Sequence, residues 1–228
     1  MGIESFMRIK INGLLSENEL AVISRSGADE IGIFVGQLFR SPLFILPSTA
    51  ARLVHLMPPG ITPVLETHLS NSDEILELVR KTGLYTVNLH CWTPEEVPKL
   101  RDKLPHYAKI ILTCHLEAVN RPLELLDPIY SVIDAVSLNC TEPEPDAAPA
   151  AAGYPNWESA VRMLQRIPVP SYLTGGICKE NVAVGIGNVK PYGVEADGEI
   201  LREGGQLDGK GCRDFVDQAR LAAINAGV

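Results

Sequence analysis

A closed (β/α)8 barrel is the fold class that the sequence predicts, and three observations predict it. Eight short apolar segments each lead into a helix-like segment, the pattern of βα units and a parallel sheet. The chain has 228 residues, a size at which such a barrel forms as one domain, and the eight units leave no surplus for another. The first turn, Asn12-Gly13-Leu14, lacks the glycine-rich pattern of an open doubly wound sheet, which is the competing architecture. Residues 1–228 are therefore read as a single α/β barrel domain.

The elements follow in order. "MRIKIN" (7–12) is the first strand. The helix after it, "SENELAVISRSG", opens on a Ser16/Glu19 capping box and closes on Gly27. Strand two is "EIGIFVG" (30–36), with the helix "PSTAARLVHLM"; strand three is "TPVLETH" (62–68), with "SDEILELVRKTG". Strand four is "TVNLH" (86–90), with "TPEEVPKLRDKL"; strand five is "KIILTCH" (109–115), with a helix in "RPLELLDPIYSVI". Strand six, "AVSLN" (135–139), runs into "CTEPEPDAAPAAAGYP", too rich in Pro to be regular throughout, and then the helix "NWESAVRMLQRI". Strand seven is "PSYLTG" (170–175), with "KENVAVGIGNV". Strand eight is "YGVEAD" (192–197), and "CRDFVDQARLAAINAG" is the last helix.

Composition narrows the function classes. Hydrophobic residues make up 46% and charged residues 21%, an ordinary soluble composition with enough apolar material for a large core. No apolar run approaches the roughly 20 residues of a membrane span, and "MGIESFMRIK" lacks the apolar core of a signal peptide. Five cysteines without a CxxC spacing read as reduced thiols, so the expected location is cytoplasmic. A formal net charge of −8 argues against nucleic acid or an anionic membrane as partner. A small-molecule substrate remains, anionic ones included, because a helix N-terminus holds one phosphate whatever the global charge. The expected state is a monomer or a homodimer.

In a barrel of this kind the chemistry sits at the C-terminal ends of the strands. Those ends carry Lys10 and Asn12, Glu66 and His68, Asn88 and His90, Thr113 and His115, Ser137 and Asn139, Thr174-Gly175-Gly176, and Glu195 and Asp197. Residues two apart on a strand face the same way, so each pair points to one side. A polar residue at a strand end is often only a solvated anchor, and that is the plain reading of any single one. The recurrence of ionisable groups over several strands favours a site. Cys114 is out of register with His115 and reads as a small hydrophobe facing the helices. Cys91, Cys140 and Cys178 read as packing residues. His55 and His106 read as surface residues.

The order "IKINGL … SGADEIGIFV … RSPLFI … VNLH … DAVSLN … LTGGICKENV … KPYGVEADG" resembles the phosphoribosylanthranilate isomerase family of tryptophan biosynthesis, from about Met7 to the last helix. The resemblance implies a barrel of the ribulose-phosphate-binding type and an Amadori rearrangement of a phosphoribosylamine. In that reaction a strand-6 carboxylic acid protonates the ribose ring oxygen, and a strand-1 cysteine removes the C2 proton. Matching the motifs places Asn139 at the acid position and Asn12 at the cysteine position. An amide does neither job near neutral pH, and each such group is worth typically ~10²–10⁴-fold. The arginine of the family's S-P-R motif is Leu43, with Arg40 nearby, and its G-G-T-G loop is replaced by Ala151-Ala152-Gly153-Tyr154. Gly175-Gly176 with Asn181-Val182 is kept, as are Lys10, His90 and the strand-8 acid Glu195.

The residues thus support a divergent barrel enzyme, an isomerase or lyase, acting on a small polar metabolite, phosphorylated or not. In it His90 and His115 carry acid/base chemistry with Glu195 and Asp197, while Lys10, Asn12, Asn139, Arg40, Gly175 and Gly176 bind substrate. A Schiff base on Lys10 is a lesser variant. No cofactor is expected. A metal-dependent lyase or hydrolase is the first alternative, with a divalent ion held by Glu66, His68, His90 and His115. The others are a catalytically silent barrel that binds a metabolite or protein, and a genuine phosphoribosylanthranilate isomerase with substituted catalytic residues.

Overall fold

A computed structural model describes residues 7–116, 126–141, 155–197, 201–203 and 205–228. Eight parallel strands close in sequence order: β1 (Arg8–Asn12), β2 (Glu30–Phe34), β3 (Thr62–Thr67), β4 (Thr86–Leu89), β5 (Lys109–His115), β6 (Ala135–Asn139), β7 (Ser171–Thr174) and β8 (Gly193–Ala196). β8 returns to β1 through Lys10↔Glu195, which closes the barrel. The helices are α1 (Glu17–Ser26), α2 (Pro47–His55), α3 (Ser72–Thr82), α4 (Glu96–Lys103), α5 (Trp157–Leu164), α6 (Val182–Val189) and α7 (Gly209–Ala226).

Most boundaries fall within a residue or two of the sequence expectation, and the departures have local causes. α1 begins as expected: Ser16 Oγ accepts from the Glu19 N–H, and Glu19 Oε2 reaches back to the Leu15 N–H at 2.9 Å. α7 starts at Gly209, three residues before the expected Cys212, because Asp208 caps it by accepting from Lys210 and Gly211 N–H. α6 starts at Val182 rather than Lys179. There Asn181 Oδ1 accepts from the Cys178 N–H and its Nδ2 donates to Gly176 O, so the preceding residues form a turn. The helix expected after β5 appears as a 3-10 helix, Asp127–Val132; the start of that expectation, the 142–154 segment and Gly198 lie outside the described residues. An unanticipated two-stranded ribbon, β9 (Arg202–Glu203) with β10 (Gln206–Leu207), sits between β8 and α7.

Alternation along the strands sorts two environments. Ile9, Ile11, Ile31, Ile33, Leu65 and Leu112 point outward into the apolar layer under the helices, all fully buried. The inward residues are largely polar. Tyr172 on β7 reaches across the bore to donate its hydroxyl to Glu30 on β2 at 2.8 Å, and Lys10 on β1 reaches Glu66 on β3. The apolar part of the bore is a separate small cluster of Ile111, Ala135 and Tyr172 toward the N-terminal end. Filling a barrel with charge is tolerable only when each charge has a partner.

Candidate active site

At the centre stands Lys10, with its side chain wholly removed from solvent. Its Nζ lies 2.8 Å from Glu66 Oε1 and 3.0 Å from Glu195 Oε1. Burial alone would drive off the lysine proton. The charges of Glu195 and Glu66 outweigh that and push its pKa upward, so Lys10 is a locked ammonium. A lysine in that state is a poor nucleophile, which weighs against the Schiff-base variant. Both carboxylates engage the Lys10 ammonium, expected at the sequence level to bind substrate.

Glu66 is the hub. Its Oε1 takes the Lys10 bond, while Oε2 accepts from Asn88 Nδ2 at 2.8 Å and lies 2.8 Å from His90 Nε2. Thr113 Oγ1 donates to Asn88 Oδ1 at 3.0 Å, which fixes the amide orientation. Burial would raise the Glu66 pKa, but the Lys10 ammonium and the His90 hydrogen bond hold it down to about 2. An ionised carboxylate only accepts, so His90 presents Nε2–H to Glu66 and is left with Nδ1 as its free acceptor. The His90 side chain is 19% exposed. Buried carboxylate behind, open nitrogen in front: this is the arrangement of an oriented general base.

The second carboxyl behaves oppositely. Burial raises the Glu195 pKa, and Glu66 adds to the effect against the opposing pull of Lys10. Asn12 Nδ2 donates to Glu195 Oε2 at 3.3 Å. Two carboxylates around one ammonium thus diverge, one firmly ionised and one inclined to keep a proton. Asn12 fits there because Gly32 faces it: a Cβ on Gly32 would come within 2.0 Å of Asn12 Oδ1.

His68 and His90 stack with ring centroids 4.7 Å apart. Burial, aided by His90, lowers the His68 pKa to about 4, so His68 is a neutral ring near pH 7. Phe34, Phe39 and Phe44 pack around His68 with centroids 6.4, 4.7 and 5.3 Å away. This aromatic wall was missed at the sequence level. The only available signal was three phenylalanines within residues 34–44, which reads as ordinary core.

Other expected residues are placed differently. Asn139 is half-buried at the end of β6, where its Oδ1 accepts from the Thr141 N–H at 3.0 Å. Gly175 lies against it at φ 81°, followed by Gly176 at φ 64°; a Cβ on Gly175 would stand 1.9 Å from Asn139 Oδ1. Two successive left-handed residues turn backbone N–H groups to one side, the form of an anion cradle. His115 is exposed at the end of β5, close enough for its charge to depress His68. Asp197 is half-buried just past β8. Arg40 is exposed in the β2–α2 connection and makes no hydrogen bond or ion pair among the described residues, so the geometry does not bring it to the dyad. Leu43 is buried, as an apolar side chain should be.

The donors named for the metal alternative are spread over separate contacts. Among the described residues, no three His, Cys, Asp or Glu side chains are placed to hold an ion. Glu66 is taken up by Lys10, Asn88 and His90, and His68 meets His90 face to face rather than nitrogen to nitrogen. Cys114 and Cys140 are buried thiols pushed up to about 12 by burial, as packing residues should be. His55 and His106 are exposed. No helix among the described residues is long and apolar enough to cross a membrane.

Comparison with known proteins bears on the family and the fold. No family model matches the chain. It is 32% identical over 215 residues to N-(5'-phosphoribosyl)anthranilate isomerase 2 of Methanosarcina mazei, covering 94% of each protein. It is 28% identical over 214 residues to the N-(5'-phosphoribosyl)anthranilate isomerase of Halorubrum lacusprofundi, covering 93% of this chain and 96% of that one. Among solved structures, the phosphoribosyl anthranilate isomerase of Thermotoga maritima matches with a TM-score of 0.74 at 23% identity, over 94% of this chain and 98% of that one. The enzyme from Pyrococcus furiosus matches with the same score at 19% identity, over 94% and 99%. These structural likenesses speak to the barrel, and the full-length sequence identity speaks to descent: the chain belongs to the N-(5'-phosphoribosyl)anthranilate isomerase family.

Proposed function

We propose that this protein isomerises an N-(5'-phosphoribosyl)arylamine of the kind its relatives are named for, and that the Glu66–His90 dyad moves the proton. The observation that carries the reading is the 2.8 Å contact between Glu66 Oε2 and His90 Nε2 at the mouth of the barrel. The reaction needs ring opening to a C1 iminium, removal of the C2 proton to an enaminol, and return of a proton to C1 with loss of the C2 hydroxyl proton to give the ketose. His90 Nδ1 is the acceptor for the C2 proton, and Glu66 stabilises the imidazolium that results. Glu195 is enclosed beside Lys10, so solvent at the open end of the barrel supplies the ring-oxygen proton. Gly175-Gly176 offers the phosphate its backbone N–H groups, and the phenylalanine wall beside His68 receives the aryl ring.

This reading replaces the family's strand-1 cysteine and strand-6 acid as proton carriers while keeping the strand-end location. The test is turnover of N-(5'-phosphoribosyl)anthranilate by the purified protein, followed by the loss of anthranilate-type fluorescence, with His90→Ala in parallel. Turnover by the wild type and a fall of ~10²-fold or more in the variant supports the proposal. Wild-type turnover that His90→Ala leaves intact assigns the proton transfer elsewhere, and no turnover at all removes the arylamine substrate.

A further inference from the structure

The end of the barrel opposite the dyad holds a cavity of about 320 Å³, lined by Arg8, Glu30, Ile111, Tyr172 and Tyr192 among others. We propose that it is a second binding site, for a small primary amine carried on an apolar body. Glu30 is 5% exposed and uses only one carboxylate oxygen. Its Oε1 takes Arg8 Nε at 2.9 Å and the Tyr172 hydroxyl at 2.8 Å, while Oε2 is buried with no hydrogen-bond partner. A buried carboxylate oxygen left bare is costly, and a charge-assisted N–H donor is the strongest remedy.

The remaining charges on the wall are already matched. Arg8 is held by Glu30 and Thr62, and Lys109 by Asp134, which also takes Arg101 and the Ile110 N–H. With every cation paired and one anionic oxygen unpaired, the cavity asks for a cation rather than an anion. Ile111, Ala135 and the Tyr172 ring make an apolar floor, and Tyr192 meets Tyr172 edge to face at 5.4 Å. Tyrosine faces beside a carboxylate favour an alkylammonium further, and the volume lies at the small end of ligand sites. Conventional reading of a barrel assigns this face to stability, and nothing in the isomerase reaction uses it.

The experiment is titration of the isotopically labelled protein with 2-phenylethylamine, with 2-phenylethanol as the uncharged isostere, up to about 10 mM. The expected result is saturable shifts at Arg8, Ile111, Tyr172 and Tyr192, with the alcohol at least about tenfold weaker. Glu30→Gln should weaken the amine toward the alcohol. Should that variant fail to fold, Ala135→Leu fills the floor, keeps the carboxylate, and should abolish binding while the thermal midpoint holds. Absence of shifts, equal binding of amine and alcohol, shifts confined to His68 and Phe39 at the other mouth, or binding that survives Ala135→Leu each overturn the proposal.

Discussion

Glu66 on β3 and His90 just past β4 have their Oε2 and Nε2 atoms 2.8 Å apart, with Lys10 bonded to the other oxygen of the same carboxylate. One buried anion therefore orients the imidazole and anchors the ammonium. Removing it should separate the two duties. Glu66→Gln keeps the shape but leaves Lys10 with Glu195 alone and takes the counter-charge from His90. Breaking a buried pair this way costs about 3–5 kcal/mol of stability, and turnover should fall by ~10²-fold or more. Denaturant midpoints and kcat on the same preparation check both. Loss of stability with undiminished kcat would confine Glu66 to a structural role.

Acid should destabilise the protein in two stages. His68 titrates near 4 in the fold against an ordinary 6.5, so its contribution is complete above 6.5 and is lost as pH falls toward 4. Glu66 is held to about 2 against an ordinary 4.5, so its contribution is lost between those values. Glu195 is raised and works in the opposite sense, giving back a little stability as it takes up its proton. Lys10 is raised too, so its share is present at neutrality and lost only at strongly alkaline pH. Urea unfolding of wild type and His68→Phe from about pH 7 to about pH 3 distinguishes the stages. The variant should lose the slope between 6.5 and 4 and keep the steeper one below it.

Gly32 and Asn12 should couple in a double-mutant cycle. A Cβ on Gly32 would stand 2.0 Å from Asn12 Oδ1 and 3.0 Å from Glu66 Cγ, so Gly32→Ala should cost about 1–3 kcal/mol by overpacking. Asn12→Ala in the same chain removes the obstructing amide and should recover about half of that or more. Strictly additive losses in unfolding free energy would show that the strain falls on Glu66 or the backbone instead.

The barrel itself was legible because alternation along each strand separates Ile9 and Ile11 from Lys10 and Asn12, and because capping residues such as Ser16, Gly27 and Gly83 mark helix ends. The strand-end register was equally legible: Glu66, His90 and Glu195 fall on one side by counting in twos. What sequence does not carry is the stagger between strands. Parallel pairing of Lys10 with Glu195, and the reach of Lys10 past β2 to Glu66, place the Lys10 ammonium inside the bore between two carboxylates. The same stagger hides Glu30. It opens its strand, where a charge reads as a solvated start, yet Tyr172 from the far side of the bore covers it. Arg40 looked promising by proximity in sequence to Leu43, and the exposed connection that carries it turns it to solvent.

Restoring an acid at the end of β6 should raise turnover. Asn139 already occupies a place where its Oδ1 accepts from the Thr141 N–H and abuts Gly175, and aspartate has the same shape with the same acceptor. Asn139→Asp therefore adds a titratable oxygen without disturbing the cradle. The resemblance to the family places the ring-opening acid at this position, so the variant should increase kcat for N-(5'-phosphoribosyl)anthranilate by about tenfold or more, with the gain largest at the acidic end of the profile, where the carboxyl holds its proton. Adding Asn12→Cys supplies a second base within the reach of Glu195, and turnover should then tolerate His90→Ala. Should Asn139→Asp lower kcat while KM stays constant, the amide itself would be the working group. Hydrogen bonding from Asn139 Nδ2 to a developing oxyanion would then be this chain's replacement for the lost acid.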